Sequence, residues 1–302
     1  MLKLNGRTIE FGVFPNGESF ADIDKMKVGP IDKVNRILFK FESDKDIFNL
    51  ICLKDFVDTN WPHIPCHLIM PYVPYSRMDR QEEIRLFTLK TFAKLIDSMN
   101  FASVEVWEPH SEVTPALIDR VAVVNKSAEL ALLAMRDELG LVGDCWFTES
   151  YSYTDGSGAY GHCLEGLLYK AKKSNIFLVY PDAGAEKRYR KQIKYPNVLT
   201  CSKTRDFNSG RISSINLHGY EDAQNCEVAI IVDDLCSRGG TFIGTAAELR
   251  KHLPNLKRVI LCITHCENSI FDGSVLTGTE INKVYTTNSI LSKSHEKIEI
   301  VE

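Results

Sequence analysis

Apolar residues along the chain gather into short unbroken runs, separated by longer stretches in which they recur every three or four positions. The runs at 37–41, 67–70, 103–107, 176–180, 228–232 and 258–263 have the length and β-branched content of buried strands. The stretches at 46–57, 88–98, 127–138 and 241–252 carry the helical period. Strand alternating with helix predicts an α/β chain in which each domain has a mainly parallel sheet flanked by helices. Ligands of such folds collect at the carboxyl ends of strands. The 302 residues suffice for two domains, and the pattern divides at 1–125 and 126–302, with the final residues able to pack back on the first.

Composition narrows the class without changing the fold. A hydrophobic fraction of 44% and a charged fraction of 25% are those of a globular chain. The net charge of -4 gives no reason to expect nucleic acid, and no run is long enough for a membrane span or patterned as a signal peptide. The nine cysteines are odd in number and scattered, which predicts reduced thiols and a cytoplasmic protein. None of their spacings is that of a zinc site.

Chemistry enters at 228–241, where an apolar run ends in Asp233-Asp234 and is followed by Ser237-Arg238-Gly239-Gly240-Thr241. Two carboxylates at a strand end suit ribose hydroxyls, the glycines let the backbone approach a phosphate, and Thr241 adds a hydroxyl before a helix N-terminus. This reads as a ribose-phosphate site. A second unusual stretch, 140–166, holds Trp146, Tyr151, Tyr153 and Tyr160 around a Gly-Ser run. It suits either a surface excursion or a loop that covers a substrate.

Five further segments, in order, give the chain a resemblance to the ribose-phosphate pyrophosphokinases, or PRPP synthetases, from about Phe14 to Ile300. The turn from Phe14 to Glu18 resembles the family's adenosine loop, which implies stacking by Phe14 and polar contacts to ATP from Asn16 and Glu18. The segment from Pro71 to Arg80 resembles Pro-Tyr-Ala-Arg-Gln-Asp. That places Arg77 on the nucleotide phosphates beside Asp79, with Met78 where the family has glutamine. Glu108-Pro109-His110 resembles Asp-Leu-His and implies that His110 and Glu108 serve the Mg2+ carried by ATP. Pro181-Asp182-Ala183-Gly184, running on to Lys187-Arg188, is similar to the family's second metal motif, with Asp182 as its acid. Lys203-Thr204-Arg205 resembles the catalytic Lys-x-Arg of a mobile loop, whose cations stabilise the transferring diphosphoryl group.

The resemblance implies two phosphoribosyltransferase-like domains, 1–125 binding ATP and 126–302 binding the ribose phosphate. Asp233, Asp234, Ser237, Arg238, Gly239, Gly240 and Thr241 line the second site. The implied reaction carries the β,γ-diphosphoryl group of ATP to the 1-hydroxyl of a ribose 5-phosphate and releases AMP. A homo-oligomer is expected, with neither nucleic acid nor membrane as partner. Arg238 stands where the family has a neutral donor. It either meets added negative charge, as in ADP-ribose, or replaces that donor on the same monophosphate. Two other readings are a transferase that consumes PRPP and a catalytically silent regulatory homologue.

Overall fold

The computed structural model describes residues 1–81, 84–141, 158–205 and 212–302. The chain forms two compact units, Met1–Asn125 and Lys126–Glu302.

The first unit opens with β1 (Leu2–Leu4) and β2 (Arg7–Ile9), an antiparallel hairpin turned by Asn5-Gly6. Both turn residues have positive φ, at 50° and 82°, the backbone that asparagine and glycine favour in two-residue hairpins. A separate two-stranded sheet, β3 (Gly12–Val13) with β4 (Ser19–Phe20), follows. Then come β5 (Asn35–Phe39), α1 (Lys45–Asn60), β6 (Cys66–Met70), α2 (Thr88–Ser98), β7 (Ser103–Trp107), α3 (Val113–Leu117) and β8 (Val121–Val124). The main sheet runs β2-β1-β5-β6-β7-β8 and is parallel from β5 onward. Alternate residues of its central strands, Phe39, Leu68, Met70 and Val106 among them, enter one core. α2 meets that core with Leu89, Phe92, Ala93 and Ile96, one stripe at helical spacing. Each large apolar side chain of that stripe, fully buried, contributes about 1.5–3 kcal/mol, which outweighs the poor helix propensity of its flanking β-branched residues.

The second unit contains α4 (Ser127–Glu138), α5 (Gly158–Lys173), β9 (Ile176–Tyr180), α6 (Ala183–Tyr189), β10 (Val198–Arg205), β11 (Ile212–His218), β12 (Val228–Cys236), α7 (Gly240–His252), β13 (Arg258–Cys266), β14 (Lys283–Thr287) and β15 (Ile298–Val301). Its sheet has the order β11-β10-β9-β12-β13-β14-β15, with only β11 antiparallel to its neighbour. Here both faces are covered. Ala229 and Ile231 of β12 join one core with Phe242, Ala246 and Leu249 of α7. Ile230 and Val232 join the other with Leu130, Ala131 and Met135 of α4. Burial on both faces is why these strands read as continuous apolar runs rather than alternating ones.

Several expectations change. β12 and β13 outlast their apolar runs, so Asp233 and Asp234 lie within a strand, held by a ladder that continues through Leu235↔His265 and Cys236↔Cys266. Lys203, Thr204 and Arg205 lie in β10 rather than in a loop, paired with Ile215, Ser214 and Ile212 of β11. The final residues form β15, parallel to β14 in this same sheet. The stretch expected at 140–166 is helical from Gly158, and its residues 142–157, with Trp146, Tyr151 and Tyr153, lie outside the described residues. The side chain of Tyr160 does too.

Seven cysteines of the described residues are free, and only Cys52 is exposed. Burial pushes the thiols of Cys66, Cys201 and Cys226 up to about 12, so they remain protonated and inert. No helix among the described residues is long and apolar enough to cross a membrane.

Candidate active site

In the second unit, chain order reverses between β9 and β12, because β10 and β11 lie on one side of β9 while β12 to β15 lie on the other. Such switch points open a crevice at the carboxyl ends of the strands. The register deepens it. β9 stops at Tyr180, opposite Thr200, and Val179 pairs with Ile231. β10 therefore runs on to Arg205 and β12 to Cys236, leaving a notch beyond the end of β9.

Asp182 sits at the mouth of this notch. It is the N-cap of α6, its Oδ1 accepting from the Ala185 N–H at 2.9 Å. Lys203, reaching in from β10, forms an ion pair with it. Burial alone would raise the Asp182 pKa, but the bonds from Lys203 and the Ala185 amide outweigh it and hold the carboxyl below its ordinary value. On the β12 side, Asp234 is 5% exposed and meets Arg188 of α6 at 3.3 Å. Asp233 accepts from the Asp234 N–H at 3.0 Å through Oδ1. Its carboxyl is pushed well up, first by burial and then by the charges of Asp234 and Asp182.

The loop after β12 depends on glycine at one position. Gly239 has φ +79°, and a Cβ there would lie 2.1 Å from Val275 Cγ2. Its carbonyl accepts from the amides of Phe242 and Ile243, both at 3.0 Å, which closes the first turn of α7. The amides of Gly240 and Thr241 precede that ladder and are available to an anion. Arg238 is exposed, whereas Ser237 and Thr241 are partly buried. The strand end of β10 carries Arg205, whose side chain lies outside the described residues.

The first unit gathers a second set of residues. β6 and β7 are neighbours, paired at Met70↔Val106, so the loops that follow them leave the same end of the sheet. Trp107 N–H donates to the Pro71 carbonyl at 3.2 Å and ties the two loops together. Tyr75, with φ +63°, starts a turn closed by Met78 N–H to its carbonyl at 2.9 Å, and its hydroxyl donates to Asp44 at 2.5 Å. Burial alone would raise the Asp79 pKa, but bonds from the Ser111 hydroxyl and the Arg80 guanidinium lower it. Arg77 and His110 are exposed, and Glu108 is 1% exposed with φ +34°. Phe14, Asn16 and Glu18 are exposed on the hairpin between β3 and β4, whose turn is closed by Gly17 N–H to Phe14 O at 2.8 Å. The Phe14 ring lies 4.5 Å from that of Phe20.

Among the described residues, no group of three or more His, Cys, Asp or Glu is placed to hold a metal. Mg2+ keeps several waters and is commonly held by one or two carboxylates plus substrate phosphates. The hard oxygens of Asp182 and Asp233 suit an ion that arrives on a phosphate, not one caged by protein.

Sequence reasoning missed two partners. Arg188 was legible only as one of two cations after Asp182, and Ser127 donates to the Asp233 carbonyl at 2.8 Å from a helix more than a hundred residues earlier. Arg188→Ala is expected to cost about 2 kcal/mol, less than a fully buried pair because Arg188 is 23% exposed. Urea unfolding of the variant measures it.

No protein-family model matches the chain. Its sequence is 26% identical over 243 residues to a ribose-phosphate pyrophosphokinase of Ureaplasma parvum, covering 78% of this chain and 62% of that protein. It is 25% identical over 301 residues to that of Sulfurisphaera tokodaii, covering 97% and 88%. A third, from Aquifex aeolicus, is 27% identical over 247 residues, covering 77% and 64%. Two of these three matches thus span less than two thirds of the relative. The crystal structure of phosphoribosylpyrophosphate synthetase from Mycobacterium smegmatis superposes with a TM-score of 0.65 over 97% of this chain and 85% of that one, at 16% identity, and so shares the fold. With the ordered sequence matches, this makes the chain a divergent relative of the ribose-phosphate pyrophosphokinases.

Proposed function

We propose that the chain is an ATP-dependent pyrophosphokinase acting on ribose 5-phosphate or a 5-substituted ribose phosphate such as ADP-ribose. The observation that carries this is the notch beyond β9, where the Lys203–Asp182 pair lies near enough to Asp233 for the charge of Asp182 to act on it, on the strand that leads into the Gly239 loop. A phosphate suits the amides of Gly240 and Thr241, and the ribose hydroxyls suit the carboxylates of Asp233 and Asp234. The anomeric hydroxyl oxygen attacks the β-phosphorus of ATP, the bond from that phosphorus to the α,β-bridging oxygen breaks, and AMP leaves as the hydroxyl proton is lost. Lys203, with Arg205, stabilises the charge that grows on the bridging oxygen. Mg2+ held through Asp182, and through His110 and Glu108 on the ATP side, would neutralise phosphate charge. Residues 1–125 bind ATP with Phe14, Asn16, Glu18, Arg77, Met78 and Asp79.

Incubation with ATP, Mg2+ and a panel of ribose phosphates tests this. AMP is expected only when an acceptor is present. Release of ADP would make the protein an ordinary kinase, and turnover only from PRPP and a base would make it a transferase. ADP-ribose and ribose 5-phosphate competed in one reaction decide between acceptors. A second phosphate bonded to Arg238 shifts preference about tenfold to a hundredfold, a shift that Arg238→Thr abolishes.

A further inference from the structure

The loop Ser237 to Gly240 rests on residues 267–275, to which sequence reasoning gave no role. Glu267 N–H donates to the Cys236 carbonyl at 2.9 Å, where β12 ends. A Cβ on Gly273 would lie 2.0 Å from the Arg238 carbonyl oxygen, so only glycine lets the Arg238 peptide sit there. Val275, fully buried, closes against Gly239. The side chains add a constraint on protons. Ser269 Oγ donates to Glu267 Oε2 at 2.9 Å. Ser237 Oγ and Ser269 Oγ are also 2.9 Å apart. A hydroxyl has one proton, and a carboxylate oxygen accepts. Ser269 therefore accepts from Ser237, whose own proton is committed to that contact. What Ser237 then offers to a ligand is lone pairs, which a phosphate oxygen disfavours.

Resting on the ribose-phosphate reading of this loop, we infer that Glu267 and Ser269 are positioning residues that hold Ser237 as an acceptor, so that Arg238, and not the Ser237 hydroxyl, reads the 5-phosphate of the acceptor substrate. Arg238 is exposed beside this committed hydroxyl, and its guanidinium supplies a fork of donors in place of one lost proton. The cation at this position is then a consequence of the Glu267–Ser269 relay beneath it, and no second phosphate is required to explain it.

Calorimetric binding of ribose 5-phosphate, without ATP, tests this on the full chain. Ser237→Ala is expected to bind within about twofold of wild type, because it removes no donor to the phosphate, while Arg238→Ala weakens binding by about tenfold or more. Adding Ser269→Ala to Arg238→Ala releases the Ser237 proton and is expected to recover at least about threefold. Thermal melts confirm that each variant is folded, and Ser237→Ala alone suffices if the double variant is not. A tenfold loss in Ser237→Ala, wild-type affinity in Arg238→Ala, or no recovery in the folded double variant would overturn the inference. AMP release by wild type is read separately. This binding pattern without AMP release sinks the proposed reaction and keeps the phosphate-reading assignment. AMP release with a weakened Ser237→Ala sinks the inference alone, and a wild type that binds no ribose 5-phosphate sinks both.

Discussion

Lys203→Ala is expected to lower kcat by on the order of a hundredfold or more, with a much smaller change in the KM of either substrate. Its ammonium is held at the notch by Asp182 and by strand pairing of its own backbone to Ile215, so it is already placed before substrate arrives. A cation fixed where charge develops acts on the transition state more than on the ground state. Steady-state kinetics of AMP formation measure the split. Near-wild-type kcat would leave Lys203 as a partner of Asp182 and nothing more. The pair also has a pH signature. The Asp182 carboxyl is depressed in the folded protein, so the stability it adds is fully present above its unfolded value and lost as pH falls through the folded one. The stability difference between wild type and Lys203→Ala is therefore expected at neutral pH, to begin shrinking near about pH 4, and to vanish only once pH has fallen below the depressed folded value.

Gly239→Ala is expected to destabilise the protein by about 3 kcal/mol and to raise the acceptor KM. Its φ of +79° is one that a Cβ penalises by about 1–2 kcal/mol. The new methyl would also lie 2.1 Å from Val275, which is fully buried and has no room to retreat. Overpacking of that kind costs about 1–3 kcal/mol. Gly240→Ala is the matched comparison for stability, since nothing lies within 4 Å of its Cβ and its φ is ordinary. It is expected to change stability by less than about 1 kcal/mol. Denaturant unfolding of both variants measures the contrast, and equal losses would show that the loop yields where the geometry says it cannot.

What the sequence by itself determined is tied to local periodicity. Residues 103–107, 176–180, 88–98 and 127–138 form the strands and helices their patterns predict, because their apolar positions face one or two covered layers and burial of that stripe outweighs any competing conformation. The nucleotide- and phosphate-type motifs were legible for a related reason: glycine, aspartate and arginine at fixed offsets are chemical requirements carried within a few residues. Tertiary structure decided where β10, β12 and β13 stop. Their charged ends pair with neighbouring strands, and hydrogen bonds to a neighbour are invisible in a local apolar pattern. The same holds for the partners of the site residues. Asp234 takes Arg188, the Asp233 carbonyl takes the Ser127 hydroxyl, and Ser237 takes Ser269. Each contact is set by which strands lie side by side, and the reversal of strand order between β9 and β12 is a property of the whole sheet that no segment of the chain encodes alone.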